Sequence, residues 1–368
     1  MSDKGGRLSY PPPQENSMKD FNDYKRKFSF LAISQGKDIS YIERCLSYAE
    51  NLNKKNYPII YDLEHLSLLV GYKSDYIRRA ISYPLFFYWN FYINKKNGKK
   101  RKISEPLPNL KDIQIWILNN ILEKVPISPY AKAYVKNKKL KDNVIFHRGQ
   151  KKVLALDLKD FFGSITLENV YSIFKEIGYT NQVSSLLAKL CCCNKKVTNR
   201  AEKEVLPQGA PTSPAISNIF MRDFDEAISS YCKEEKIRYT RYADDLTFSG
   251  DFDETILKNK VKLLLTQKNL ILNEQKSKLM LQGSRQVVTG IIVNSKIQTP
   301  KKFRRNIRLS MYYIKKYGIK SHIEKTHNTK SNYVQHLLGQ INYILSIDKS
   351  NKEFIYYKKL LIDLYNKN

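Results

Sequence analysis

Residues Ile237 to Gly250, IRYTRYADDLTFSG, set two runs of strand-forming residues on either side of an adjacent pair of acids, Asp244 and Asp245. Side chains on a regular strand alternate between faces, so neighbouring carboxylates would point apart, and brought close they repel. A turn between the runs breaks that alternation and lets both acids approach one point. Such pairs also occur in surface turns that bind nothing, so the pair alone decides little. A third acid adds weight: VLALDL, Val153 to Leu158, is apolar enough for a strand buried on both faces, yet carries Asp157, and a lone acid there needs a partner.

Around these acids the chain alternates strand and helix signals, which predicts the α+β class. Asp62 is placed to cap a helix that Leu63, Leu66 and Val70 give one apolar face and Gly71 ends. PLFFYWNFYI, Pro84 to Ile93, reads as a buried strand, and Asn97-Gly98 as the turn of a hairpin with a cationic tip. Two amphipathic helices follow, through Val170, Ile173, Phe174 and Ile177 and through Val183, Leu186, Leu187 and Leu190, the second placing Cys191 on its core face. TILKNKVKLLLTQKNLIL reads as a helix leading into a strand, and SRQVVTGIIVNSKI as a strand pair. The five cysteines form neither a disulfide framework nor a zinc pattern and read as packing residues. The expected divisions are a flexible arm over 1–20, a helical segment over 21–80, a mixed catalytic region over 81–295 and a basic helical lobe over 296–368.

Against 64 Lys and Arg stand 35 Asp and Glu, a formal charge of +29, which points to a polyanionic partner and first to nucleic acid. No run reaches the roughly 20 apolar residues of a spanning helix, so no membrane partner is expected. The N-terminus lacks the apolar core of a signal peptide, which makes the cytoplasm the expected location. From Thr299 onward fifteen Lys and Arg face four acids, and KKFRRNIRLSMYYIKKYG interleaves Arg304, Arg305 and Arg308 with Tyr312, Tyr313 and Tyr317. Cations for phosphate and aromatics for unpaired bases suit structured RNA.

Phosphoryl transfer to a sugar hydroxyl asks a protein mainly to hold two magnesium ions about 3.5 to 4 Å apart, and magnesium takes few protein ligands, chiefly carboxylates. Asp157, Asp244 and Asp245 supply such a set. Tyr242-Ala243-Asp244-Asp245 is similar to the YxDD box of reverse transcriptases, LALDLKDFFGSI resembles their palm motif with its metal-binding acid at Asp157, and LPQGAPTSPAISN resembles the motif under the nucleotide and template. RKISEP resembles the fingers motif and LNEQKSKLM a further palm motif, all in the family's order. The resemblance implies a right-hand polymerase fold: fingers, a palm of antiparallel sheet packed on helices, and a helical thumb. It implies that Asp157 and Asp244 hold metal with Asp245 supporting, and that Phe162 meets the sugar and disfavours a 2′-hydroxyl. It implies nucleotide contacts from Arg101, Gln208, Gly209 and Lys276, the last toward the leaving pyrophosphate.

VVTG, Val287 to Gly290, is similar to the VTG box of retron reverse transcriptases, and NVIFH, Asn143 to His147, resembles their NAxxH box with Val144 in place of Ala. That likeness implies RNA recognition by Asn143, His147, Val288, Thr289 and Gly290, to which the basic segment adds Arg304, Arg305 and Arg308 as RNA contacts on independent grounds. It implies a cognate noncoding RNA of msr-msd type, priming from an internal guanosine 2′-hydroxyl, and deoxynucleoside triphosphates copied into branched multicopy single-stranded DNA. An effector protein in anti-phage defence and a host RNase H for template removal complete the implied partners. Two other readings stay open: another small bacterial reverse transcriptase, group II intron-like or of an unassigned defence type, and a nucleoprotein scaffold in which polymerisation is incidental.

Overall fold

The computed structural model describes residues 21–94, 98–196, 202–326 and 332–366, so the expected arm over 1–20 and Asn97 of the hairpin tip lie outside the described residues. The strands in chain order are β1 (Tyr88–Asn94), β2 (Lys100–Pro106), β3 (Lys152–Asp157), β4 (Cys193–Lys196), β5 (Glu202–Val205), β6 (Arg238–Tyr242), β7 (Asp245–Gly250), β8 (Lys278–Leu281), β9 (Val287–Val288) and β10 (Ile291–Ile292). With the helices between them they make the α+β class. The chain forms two compact units, Met1–Ser128 with Asp160–Asp223, and Pro129–Lys159 with Phe224–Asn368. Among the described residues no helix is long and apolar enough to cross a membrane.

The first unit opens with helices Phe21–Ser34, Ile39–Lys54, Leu63–Val70 and Ser74–Ser82. The Asp62 side chain accepts from the His65 N–H, and Gly71 ends that helix in the left-handed region at φ +75°, as the sequence predicts. The reading of Pro84 to Ile93 as a buried strand is corrected. Pro84–Phe87 is a 3₁₀ turn, and of the strand after it only Tyr88 is buried, while Trp89 and Tyr92 stay exposed. Among the described residues β1 pairs only with β2, in antiparallel register, and most of its residues stay exposed; its aromatic and β-branched content fits strand geometry without implying burial. Helices Leu167–Ile177 and Asn181–Cys191 carry the core of this unit. Their predicted apolar stripes are all buried, at ~2 kcal/mol for each large side chain withdrawn from water. Cys191, Cys192 and Cys193 are buried free thiols, burial pushing Cys191 up to about 12.

The second unit is built on a four-stranded antiparallel sheet of order β6-β7-β3-β8. Val153, Leu154 and Leu156 of β3 are buried, as its apolar run predicts. The helix Glu254–Thr266 is capped by Asp253, but the strand expected after it does not form; Leu272 makes only an isolated bridge to Leu158. β9 and β10 pair across Thr289-Gly290. The helices Lys301–Tyr317, Ile319–Lys325, Tyr333–Ile347 and Lys352–Asn366 enclose their own core of Ile307, Met311, Ile314, Leu337, Ile341 and Phe354. Ile347, ending one of them, packs instead with Val144, Val153, Met280, Val288 and Ile291 beside the sheet.

Candidate active site

β6 and β7 are joined by Ala243 and Asp244, with Tyr242 and Asp245 as the closing pair. Ala243 sits at φ +58°, which lets the chain reverse at the expense of a left-handed residue bearing a Cβ. Asp245 lies directly opposite Asp157 on β3, so the two carboxylates share one face of the sheet. The Leu158 N–H donates to the Asp244 carbonyl at 3.1 Å, tying the turn to the end of β3.

Asp157 is almost buried and has the partners its position demands. Lys276 Nζ lies 2.8 Å from each carboxylate oxygen, Asn273 Nδ2 donates to Oδ1 at 3.1 Å, and the Asn273 N–H donates to the Asp157 carbonyl at 2.8 Å. Burial, with the like charges of Asp244 and Asp157 added, pushes the Asp245 carboxyl up to about 6. Among the described residues no group of three or more His, Cys, Asp or Glu side chains is gathered closely enough to hold a metal by itself. The donor chemistry nevertheless fits magnesium: three hard carboxylates from a strand end and a turn, in mutual repulsion that a divalent cation relieves. Asn273 was missed by sequence reasoning, although it stands in the same LNEQKSKLM segment as Lys276.

The segments NVIFH and VVTG meet in space. Thr240 Oγ1 donates to Asn143 Oδ1 at 2.6 Å, and Asn143 Nδ2 donates to Thr289 Oγ1 at 3.3 Å. His147 lies 2.8 Å from Thr240 Oγ1 through Nε2 and 2.7 Å from Ser249 Oγ through Nδ1. Since the Thr240 hydroxyl spends its one proton on Asn143, His147 must donate from Nε2 and accept at Nδ1. Burial holds its pKa down to about 3, so the ring is neutral. Asn143, His147 and Val288 are fully buried: the polar atoms of Asn143 are committed to Thr240 and Thr289, those of His147 to Thr240 and Ser249, and Val288 is core. Thr289, at φ +44°, is half-buried and Gly290, at φ +83°, is exposed at the hairpin tip.

In the first unit Gly209 adopts φ +130° and lies so close to β2 that an added Cβ would stand 2.9 Å from Ile103 Cγ2 and from the Ser104 carbonyl oxygen. The Ser104 N–H donates to the Gln208 carbonyl at 2.8 Å. Gln208 is half-buried, and Arg101, with Lys99, Lys100 and Lys102, is exposed on the hairpin. Phe162 is half-buried in the short helix Phe161–Ser164, its ring 5.5 Å from that of Phe161.

On helix Lys301–Tyr317, Arg308 is gripped by both oxygens of Glu353 at 2.6 Å, whereas Arg305 is exposed and Arg304 half-buried. Tyr312, Tyr313 and Tyr317 are exposed, the last two stacked at 6.2 Å, with Lys316 and Lys325 over the Tyr317 ring.

Residues 93–341 match the family model described as reverse transcriptase (RNA-dependent DNA polymerase). The chain is 31% identical to the Escherichia coli retron Ec86 reverse transcriptase over 84% of its own length and 92% of that protein. It is 33% identical to the Escherichia coli retron Ec83 reverse transcriptase over 73% of its length and 85% of that protein. With the Myxococcus xanthus retron Mx162 reverse transcriptase it shares 33% identity over 56% of its length and 47% of that protein. The chain belongs to the reverse transcriptase family, among the bacterial retron enzymes, and is an RNA-directed DNA polymerase of right-hand polymerase fold.

Proposed function

We propose that this polymerase binds a structured noncoding RNA encoded beside it, primes from the 2′-hydroxyl of an internal guanosine, and copies part of that RNA into branched single-stranded DNA. The observation that carries the catalytic part is the placement of Asp157 opposite Asp245, with Asp244 in the adjoining turn. Asp157, Asp244 and Asp245 would hold two magnesium ions, which when bound neutralise charge on the reacting phosphates and the attacking oxygen. Lys276, more than half exposed, can exchange Asp157 for the leaving pyrophosphate. Arg101 suits a triphosphate because a guanidinium binds phosphate oxygens in pairs, and Gln208-Gly209 presents backbone at a place where no side chain fits.

Residues 81–295 serve in this reading as fingers and palm and 296–368 as thumb. RNA contacts fall to Arg304, Arg305 and the Thr289-Gly290 tip; Arg308 first has to leave Glu353, while Asn143 and His147 act from beneath by holding the tip. Action in the cytoplasm, an effector protein, anti-phage defence and a host RNase H that removes the template extend the proposal.

Expressed with the adjacent RNA gene, the protein is expected to yield DNA covalently joined to RNA, shortened on gels by a debranching enzyme that cuts 2′–5′ linkages. DNA free of RNA, or indifferent to that enzyme, would sink the priming proposal while leaving polymerisation standing. Phe162→Ala tests the sugar contact: incorporation of ribonucleotides relative to deoxynucleotides should rise roughly tenfold to a hundredfold. An unchanged ratio in competition assays would assign Phe162 to packing alone.

A further inference from the structure

Beneath the Ala243-Asp244 turn lies an ion pair with no solvent exposure at either side chain, Arg241 with Asp225. Arg241 Nε donates to Asp225 Oδ1 at 2.9 Å and Nη2 to Oδ2 at 2.7 Å, a two-pronged grip, while Tyr239 Oη donates to Oδ1 at 2.7 Å. The Arg241 backbone is fixed as well, its N–H donating to the Tyr130 carbonyl at 2.9 Å and its carbonyl accepting from the Lys132 N–H at 2.8 Å. Burying two charges is costly, and apolar side chains of similar volume fill such space at least as stably. The ion pair therefore calls for an account beyond stability.

One contact supplies it. Arg241 Nη1 donates to the Ala243 carbonyl at 3.3 Å. That carbonyl belongs to the peptide joining Ala243 to Asp244, and the next peptide, joining Asp244 to Asp245, is held by the Leu158 N–H on the Asp244 carbonyl. The peptide planes on both sides of Asp244 are thus pinned, one from within the hairpin and one from β3. The first is the plane that needs a restraint, because Ala243 occupies the left-handed region at φ +58°. By strand alternation Arg241 lies on the face of the hairpin opposite to Tyr242 and Asp245, so it reaches the turn without approaching the carboxylates.

We propose that Asp225 and Arg241 are positioning residues for polymerisation: Asp225 orients the guanidinium, which fixes the Ala243–Asp244 peptide and thereby the direction of the Asp244 carboxylate. The proposal rests on Asp244 serving catalysis. Lys cannot replace Arg here, because a single ammonium cannot grip both Asp225 oxygens and still reach the carbonyl in a fixed fork.

The test compares wild type, Arg241→Lys, the double variant Arg241→Met/Asp225→Asn, and Asp244→Asn in single-nucleotide extension, with thermal unfolding of each full-length protein. The double variant removes the buried charges together, so its melting temperature should stay within a few degrees of wild type. Its kcat should fall roughly a hundredfold, the scale of a small misplacement at a reacting centre. KM for the nucleotide should change less than about threefold, since nucleotide binding is not otherwise touched. Arg241→Lys should show the same split in a protein that keeps its buried positive charge, and it carries the test if the double variant fails to fold. Wild-type kcat in either folded variant, or a loss that only follows the folded fraction, overturns the proposal. Normal extension by Asp244→Asn would remove the active-site reading and this inference together, whereas normal kcat in the pair variants removes the inference alone.

Discussion

Asp244→Asn is expected to end DNA synthesis while RNA binding continues almost unchanged. Asn is nearly isosteric with Asp, and the backbone bond from Leu158 to residue 244 does not involve the side chain, so the turn should survive. Under the proposed two-metal site, what disappears is one hard anionic ligand from a set of three. Metal-assisted charge stabilisation is worth several kcal/mol, and each ~1.4 kcal/mol is a factor of ten in rate, so a fall of roughly a thousandfold or more is expected. RNA affinity follows the cations that meet phosphate, and the substitution alters a formal charge of +29 by a single unit. Its salt dependence should therefore stay put. Primer extension and filter binding over a salt series would check both halves. Normal DNA yield would remove Asp244 from the site, and a collapse of RNA binding would show that the substitution had damaged the fold.

Gly209→Ala should produce the next largest loss. A Cβ at this position would stand 2.9 Å from Ile103 Cγ2 and from the Ser104 carbonyl oxygen, and the residue would also have to keep φ +130°. One neighbour is backbone of β2 and cannot step aside cheaply, so the loop must lift and the bond from the Ser104 N–H to the Gln208 carbonyl must stretch or break. The strain is about 1 to 3 kcal/mol, and Gly209 is exposed, so the unit should still fold. The effect should fall on nucleotide use, with kcat/KM for the nucleotide down at least about tenfold as the Gln208-Gly209 backbone moves. Gly283→Ala is the control, because an added Cβ there meets no atom within 4 Å and its φ is ordinary. Equal activity of the two variants would argue that the Gly209 contact has no part in nucleotide binding.

The acids were legible because each sat in a local pattern that contradicted its surroundings: Asp157 in an apolar run, Asp244 and Asp245 between strands. The capped helix ending at Gly71 and the paired helices before Cys191 were legible for a similar reason, as periodicity and end signals agree within a few residues. Burial of β1 was misjudged because aromatic content reports strand preference, whereas burial depends on what packs against the strand. The strand expected near Leu272 shrank to one bridge, to Leu158 just beyond the end of β3, because pairing depends on a partner distant in sequence, which no local pattern reveals. Asp225 and Arg241 escaped notice altogether. They stand sixteen residues apart on a helix and a strand, where each reads as ordinary surface charge until the fold buries both.

The chain of hydrogen bonds from Ser249 through His147, Thr240 and Asn143 to Thr289 bears on how such enzymes can be recombined. Asn143 and Thr289 are 146 residues apart, yet the amide of one holds the hydroxyl of the other. A tip carrying Thr289 into a host that lacks the Asn143 amide would arrive without its support, and a tip lacking the Thr289 hydroxyl would leave the buried Asn143 amide without its acceptor. The exchangeable module is therefore three-part, comprising 143–147, the β6–β7 positions 240 and 249, and 287–290. Chimeras cut at the boundaries of the hairpin divide a unit that is continuous only in space.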